Sequence, residues 1–156
     1  MRTLSLDLSI NCPGWCVSDG DKYIASGYAE QEDKRASVYS RIEKNLKLLA
    51  ILVSKYEIEA VWIEDIAGSP SRATGKMLSE QQGIFKYWCR VRSIEVSSFP
   101  ISSIKICMTG KGNATKKEMI EAVQVKGYPN VVQNDEADAI SVWRYGINQM
   151  HIDVCN

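Results

Sequence analysis

Leu4, Leu6, Leu8 and Ile10 alternate with Ser5, Asp7, Ser9 and Asn11, the period of two that marks a strand with one apolar face. Asp7 falls in the middle of that strand, on its polar side. The alternation breaks at Pro13-Gly14. Apolar runs at 15–18 and 23–28, joined by Asp19-Gly20-Asp21, then continue the chain as two more strands of a meander. From 33 to 56 the period changes to that of an amphipathic helix, carried by Val38, Ile42, Leu46, Leu49 and Val53. Residues 59–65 read as a short buried strand closing on Glu64 and Asp65. The strand–helix–strand order implies that it lies parallel to an earlier strand. A second helix is expected over 71–90, with Met77, Leu78, Gln81, Ile84, Phe85 and Trp88 on overlapping faces. So broad an apolar surface suits both a core and a partner subunit.

The next strand, 93–97, is expected to break at Phe99-Pro100, before a short helix over 100–108 and a flexible glycine-rich loop at 109–113. Thr115, with Glu118 three residues later, has the spacing of a capping box and opens a helix that ends near Gly127-Tyr128-Pro129. A last helix starts at Asn134-Asp135 and runs to about residue 150. The pattern describes one α/β domain over 1–150 with a short tail at 151–156, and no internal repeat.

A chain of 156 residues, 45% hydrophobic and 24% charged, is large enough to bury a core without disulfides or a structural metal. Nineteen basic and nineteen acidic side chains cancel, so net charge favours no class of partner. Their distribution is more informative. Asp19, Asp21, Glu30, Glu32 and Asp33 face only Lys22 early in the chain, whereas Arg72, Lys76, Lys86, Arg90 and Arg92 face only Glu80. Lys105, Lys111, Lys116 and Lys117 follow with no acid between them, a regional basic charge of the kind that steers a polyanion. The five cysteines lack metal-ligand spacing and read as reduced thiols of a cytoplasmic protein. With His151 as the only histidine, a Cys/His zinc site and a Ser-His-Asp triad are both disfavoured. Asp7 interrupts the first apolar run, which argues against a signal peptide, and no stretch reaches transmembrane length.

The chemistry lies in the acids. Asp135 and Asp138 are three apart at a helix start and so share a face. An acid at Asp135 also serves a helix N-terminus by itself. Asp138, set among Ala137, Ala139 and Ile140, is better explained by a helix that packs closely while aiming this carboxylate inward, where a divalent cation would compensate it. Asp7 in the first strand and Glu64 at the end of the parallel one complete a set of four oxygen donors, which suits Mg²⁺ or Mn²⁺ rather than zinc. Two such ions about 3.5–4 Å apart can cleave a phosphodiester. This is the plan of a ribonuclease-H-like fold, a central mixed five-stranded sheet flanked by helices.

The chain resembles the RuvC family of Holliday junction resolvases, in the compact form carried by bacteriophages, lactococcal phages in particular. The resemblance rests on Leu6-Asp7-Leu8 with the following Pro13-Gly14-Trp15, on Trp62-Ile63-Glu64, on the lysine-rich glycine segment from Ile104-Lys105 to Lys116-Lys117, and on Asp135-Glu136-Ala137-Asp138-Ala139. It implies a Mg²⁺-dependent endodeoxyribonuclease of DNA recombination and repair, with Mn²⁺ able to substitute. A homodimer would make paired nicks in four-way junctions and other branched DNA such as forks, in the cytoplasm of a bacterial host. It also implies that Asp7, Glu64, Asp135 and Asp138 are the catalytic, metal-binding carboxylates. Lys105, Lys111, Lys116 and Lys117, with Arg72 and Lys76, would contact DNA. Bacterial members carry a stacking Phe three residues after the strand-end Glu; here that residue is Ala67, which implies relaxed sequence preference. Phe99 and Trp88 are candidates for the missing wedge.

Two other readings compete. An actin- or sugar-kinase-like nucleotide-binding domain also opens on an Asp-bearing strand and hairpin, but needs a second lobe to close on ATP. A catalytically silent branched-DNA-binding module would be expected to carry a broken carboxylate set.

Overall fold

A computed structural model describes residues 1–33, 35–66 and 72–154, the side chains of Arg72 and of 152–154 excepted. Ala67, the segment that follows it to residue 71, the Arg72 side chain and Cys155 therefore lie outside the described residues.

The elements run β1 (Arg2–Asp7), β2 (Gly14–Asp19), β3 (Lys22–Tyr28), α1 (Val38–Tyr56), β4 (Ala60–Asp65), α2 (Arg72–Arg90), β5 (Glu95–Pro100), α3 (Ile101–Thr109), α4 (Lys116–Val125) and α5 (Asn134–Val154). The sheet order is β3-β2-β1-β4-β5. β1 pairs antiparallel with β2 and parallel with β4, and β4 pairs parallel with β5, so the sheet is mixed and β1 lies at its centre. Two cores cover its faces. Leu4, Leu6, Val17, Val61 and Ile63 meet Leu49 and Leu52 of α1 and Phe85 and Cys89 of α2. On the other face Cys16 and Trp62 meet Ile104, Met119, Ile140 and Trp143 of α3, α4 and α5.

This second layer changes the reading of β1. Its polar side does not face water: Thr3 and Ser5 are 1% and 0% exposed, against the face that α5 covers. Asp7 is the last residue of the strand and not its middle, because the carbonyls of Leu8, Ser9 and Ile10 are taken by side-chain amides and leave the strand ladder. Phe99 and Pro100 do not end β5 early either. They pair with Glu64 and Asp65 at the edge of the sheet, where a proline without an N–H is tolerated. The capping box at Thr115 and Glu118 is present as expected, and Gly110 closes α3 at φ 79°. α5 runs four residues past 150, so 151–154 are helix and not a separate tail. His151 is exposed on it.

Small residues let α5 approach the sheet. Ala137 and Ala139 are fully buried, and a Cβ at Gly146 would come within 2.4 Å of the Trp62 ring. Gly14 is tighter still: a Cβ there would lie 1.8 Å from the backbone oxygen of Asp135. Since Gly14 pairs with Asp7 in the β1–β2 ladder, this contact sets the start of α5 beside the end of β1. Gly14→Ala should therefore cost about 3 kcal/mol, the upper end for overpacking, and displace Asp135. Gly83→Ala, on α2 with open space around its Cβ, should leave stability unchanged or raise it by about 0.5–1 kcal/mol. Urea unfolding of the two variants checks the contrast.

Candidate active site

Three elements deliver four acids to one end of the sheet. β1 and β4, neighbouring parallel strands, end on Asp7 and on Glu64-Asp65, and the first turn of α5 lies across them with Asp135 and Asp138. Ligand crevices form at such carboxyl ends of parallel strands. Gln133 holds the entry of α5, accepting from the Asp135 backbone N–H at 3.0 Å through its side chain and from the Ala137 N–H at 3.1 Å through its carbonyl. Asn134 Nδ2 donates to Asp138 Oδ2 at 2.7 Å. The Asp135 carboxyl lies near enough to the side chains of Asp7 and Cys12 to raise the pKa of both.

All four acids are partly exposed to solvent. Burial pushes Asp7 well above the ordinary carboxylate range, and the negative charges of Glu64, Asp138 and Asp135 push the same way. Glu64 rises from 4.5 to about 8, first from burial and then from Asp138, with Lys105 opposing. Asp138 rises from 3.8 to about 6 through burial, tempered by Asn134, Lys105 and Lys116. Carboxyls shifted upward by burial and by one another gain when a cation or protons join them. A cavity of about 70 Å³ lies between Asp7 and Glu64, lined also by Leu8, Leu78, Gln82 and Ile101. With oxygen the only donor at each of the four carboxylates, the set fits a hard divalent ion in type and charge. As they stand, among the described residues, no three His, Cys, Asp or Glu side chains already form a metal-holding group; an ion would have to draw its ligands inward.

The expected basic residues divide into two groups. Lys105 and Lys116 lie close enough to lower the pKa values of these acids, and Lys105 Nζ also donates to the Ala114 carbonyl at 3.0 Å. Lys111, Lys117 and Lys76 instead pair with Glu118 at 2.7 Å, Glu121 at 3.7 Å and Glu80 at 4.0 Å. In sequence the run looked free of acids because those partners follow it, one or two helical turns on. Such exposed pairs are worth about 0–1 kcal/mol each and yield readily to a phosphate. Phe99 is not free to act as a wedge: its ring packs against Trp62 and Tyr145, at 5.9 and 5.3 Å between centroids. Trp88 carries the Arg92 guanidinium at 4.0 Å. Ile84 and Tyr87 of α2 are 37% and 71% exposed, while Phe85 and Cys89 are buried. That helix thus has an uncovered apolar side as well as a core side.

Sequence reasoning missed the amides behind the acids. Asn45 of α1, 2% exposed, donates to Ser9 O, Ile10 O and Gln81 Oε1 and accepts from Gln31 Nε2. Gln81 Nε2 donates to Leu8 O at 2.6 Å and Gln82 Nε2 to Glu64 O at 2.7 Å. The only signal was a polar residue on an otherwise apolar helix face, at Asn45 and at Gln81. Cys12, whose thiol is raised to about 11 by burial and then by Asp135, also lies beside these acids and accepts from Gln133 Nε2 at 3.3 Å; its spacing to the other cysteines gave no hint of that. The four described cysteines are free thiols, and among the described residues no helix is long and apolar enough to cross a membrane.

Comparison with known proteins gives a consistent result. The family described as crossover junction endodeoxyribonuclease RuvC matches residues 16–143, a span that holds Glu64, Asp135 and Asp138 but starts after Asp7. The RuvC of Brachyspira hyodysenteriae is 25% identical over 113 residues, covering 72% of this chain and 66% of that protein. The RuvC of Rickettsia akari is 24% identical over 148 residues, covering 91% and 94%. Among solved structures, Thermus thermophilus RuvC in complex with Holliday junction substrate superposes with a TM-score of 0.82 at 14% identity over 98% of this chain and 96% of that one. The Fowlpox virus resolvase, solved with Holliday junction DNA, gives 0.58 at 14% identity over 96% and 99%. At that identity the structures speak for the ribonuclease-H-like fold. The family match spans most of the sequence, and the chain belongs to the crossover junction endodeoxyribonuclease RuvC family, whose nucleases depend on divalent metal.

Proposed function

We propose that this protein is a structure-selective endonuclease that resolves Holliday junctions by paired nicks. The observation that carries the reading is the electrostatic coupling of Asp7, Glu64, Asp135 and Asp138 where the ends of β1 and β4 meet the start of α5, with Lys105 and Lys116 near enough to oppose their charge. Asp7, Glu64 and Asp138 would hold Mg²⁺, with Mn²⁺ as a substitute, and Asp135 would complete the set or orient the attacking water. A divalent ion there supplies charge stabilisation to the scissile phosphate and acidifies a water. Lys105 and Lys116 offset charge on the phosphate as it is attacked, and backbone amides at Gly110 and Gly112 approach it closely.

Cutting opposite strands calls for two sites related by a two-fold axis, and the exposed side of α2 with Ile84 and Tyr87 supports a homodimer there. Ala67 in place of a stacking aromatic supports cleavage that is not confined to one short motif, on forks as well as four-way junctions. Action in the bacterial cytoplasm follows from the same reading. The test is digestion of an end-labelled synthetic four-way junction with Mg²⁺ or Mn²⁺, read at nucleotide resolution. The expected result is symmetric nicks on opposite strands, at several sequences. Absence of cleavage with either ion, or cuts on linear duplex alone, would refute it.

A further inference from the structure

Main-chain pairing between β1 and β4 stops at Leu6 and Ile63. Past that point the strands part, β1 ending at Asp7 while β4 runs on beside β5. Asp7 and Glu64, which line the 70 Å³ cavity together with Asp65, are the first residues beyond the β1–β4 ladder, so pairing between these two strands does not set the width of the gap. Two consecutive side chains of α2 sit at that opening. Gln81 is bonded to the carbonyl that follows Asp7, and Gln82 to the carbonyl of Glu64 itself. Consecutive helical residues point about 100° apart, which lets one turn of α2 reach both strands.

Both amides are costly to bury. Gln81 is 0% and Gln82 7% exposed, and a buried amide contributes only when its partners are in place. Gln81 is itself locked, its Oε1 accepting from Asn45 Nδ2 at 2.9 Å. An apolar pair would fill the same space without that demand. What it would not supply is a fixed donor to each strand end.

We propose that Gln81 and Gln82 are positioning residues that set the separation of Asp7 and Glu64, and so the affinity of the pocket for a divalent cation. This deepens the nuclease reading and rests on it. Loss of an outer hydrogen bond of this kind weakens metal binding about 10–100-fold.

The experiment is calorimetric titration of the DNA-free protein with Mn²⁺, comparing the parent with Gln82→Met, which keeps the approximate size but loses the donor. The variant is expected to bind Mn²⁺ about 10–100-fold more weakly while keeping the parent's circular dichroism. In junction cleavage the Mn²⁺ requirement should rise by the same factor, with the saturating rate within severalfold of the parent. Gln81→Met, at the more enclosed position, should shift affinity the same way. Parent-like Mn²⁺ affinity in folded variants overturns the proposal, as does a parent whose Mn²⁺ binding survives Asp7→Asn. If affinity shifts as expected but no variant or parent cuts a junction, the positioning role stands and the nuclease reading fails.

Discussion

Asp7→Asn is expected to leave a four-way junction bound but uncut. The substitution keeps size and removes one anionic oxygen from the most buried acid of the pocket, the one on which Glu64, Asp138 and Asp135 all act. Losing one preorganised charge-stabilising group typically costs on the order of 10²–10³ in rate, and a carboxylate proposed to hold the metal should reach at least the upper figure. Binding should hold or tighten, because like charge facing the phosphates is reduced. Gel-shift and nicking assays on the same junction check both halves. Cleavage within tenfold of the parent would remove Asp7 from the chemistry.

The second large effect concerns pH. Asp7, Glu64 and Asp138 all have folded pKa values above their unfolded ones, so between those values the native state holds more protons than the unfolded chain. Stability without metal is then greatest below about pH 4 for these groups and is lost as pH rises through about 6 for Asp138 and about 8 for Glu64. The rise at Asp138, from 3.8 to about 6, corresponds to about 3 kcal/mol, most of it already lost by pH 5.5, so the range above that reports mainly Glu64, which rises from 4.5 to about 8. In EDTA the protein should melt lower at pH 8.5 than at pH 5.5. Mg²⁺ or Mn²⁺ should raise Tm strongly at the higher pH and little at the lower, since ions bind the deprotonated set. Glu64→Gln should flatten the dependence. A Tm in EDTA that climbs across this range would show that the carboxyls are not strained by burial.

The parts of this protein legible in its sequence were those governed by local periodicity. Alternation at Leu4 to Ile10, helical spacing at Val38 to Val53 and the Thr115–Glu118 box each correspond to an observed element. So does the inward aim of Asp138, because alanines around a carboxylate report close packing. Less legible was whatever depended on a neighbour distant in sequence. The polar side of β1 looked solvent-facing because α5, which covers it, begins more than a hundred residues later. Pro100 looked like a strand breaker because its edge position is a property of the sheet. Lys111 and Lys117 looked free because Glu118 and Glu121 reach them only once α4 is wound. The amides of Gln81, Gln82 and Asn45 were visible as polar residues in apolar stripes, but their targets are main-chain carbonyls, which carry no sequence signature.

The order in which the chain supplies the pocket has a further consequence. The β1–β2–β3 meander closes through contacts local in sequence, but half of the carboxylates arrive on α5, the last element. A ribosome adding roughly 5–20 residues per second exposes Asp7 well before Asp135 exists. A chain synthesised or trimmed only as far as residue 133 retains at most two of the four acids, so the four-carboxylate pocket cannot assemble until α5 is in place.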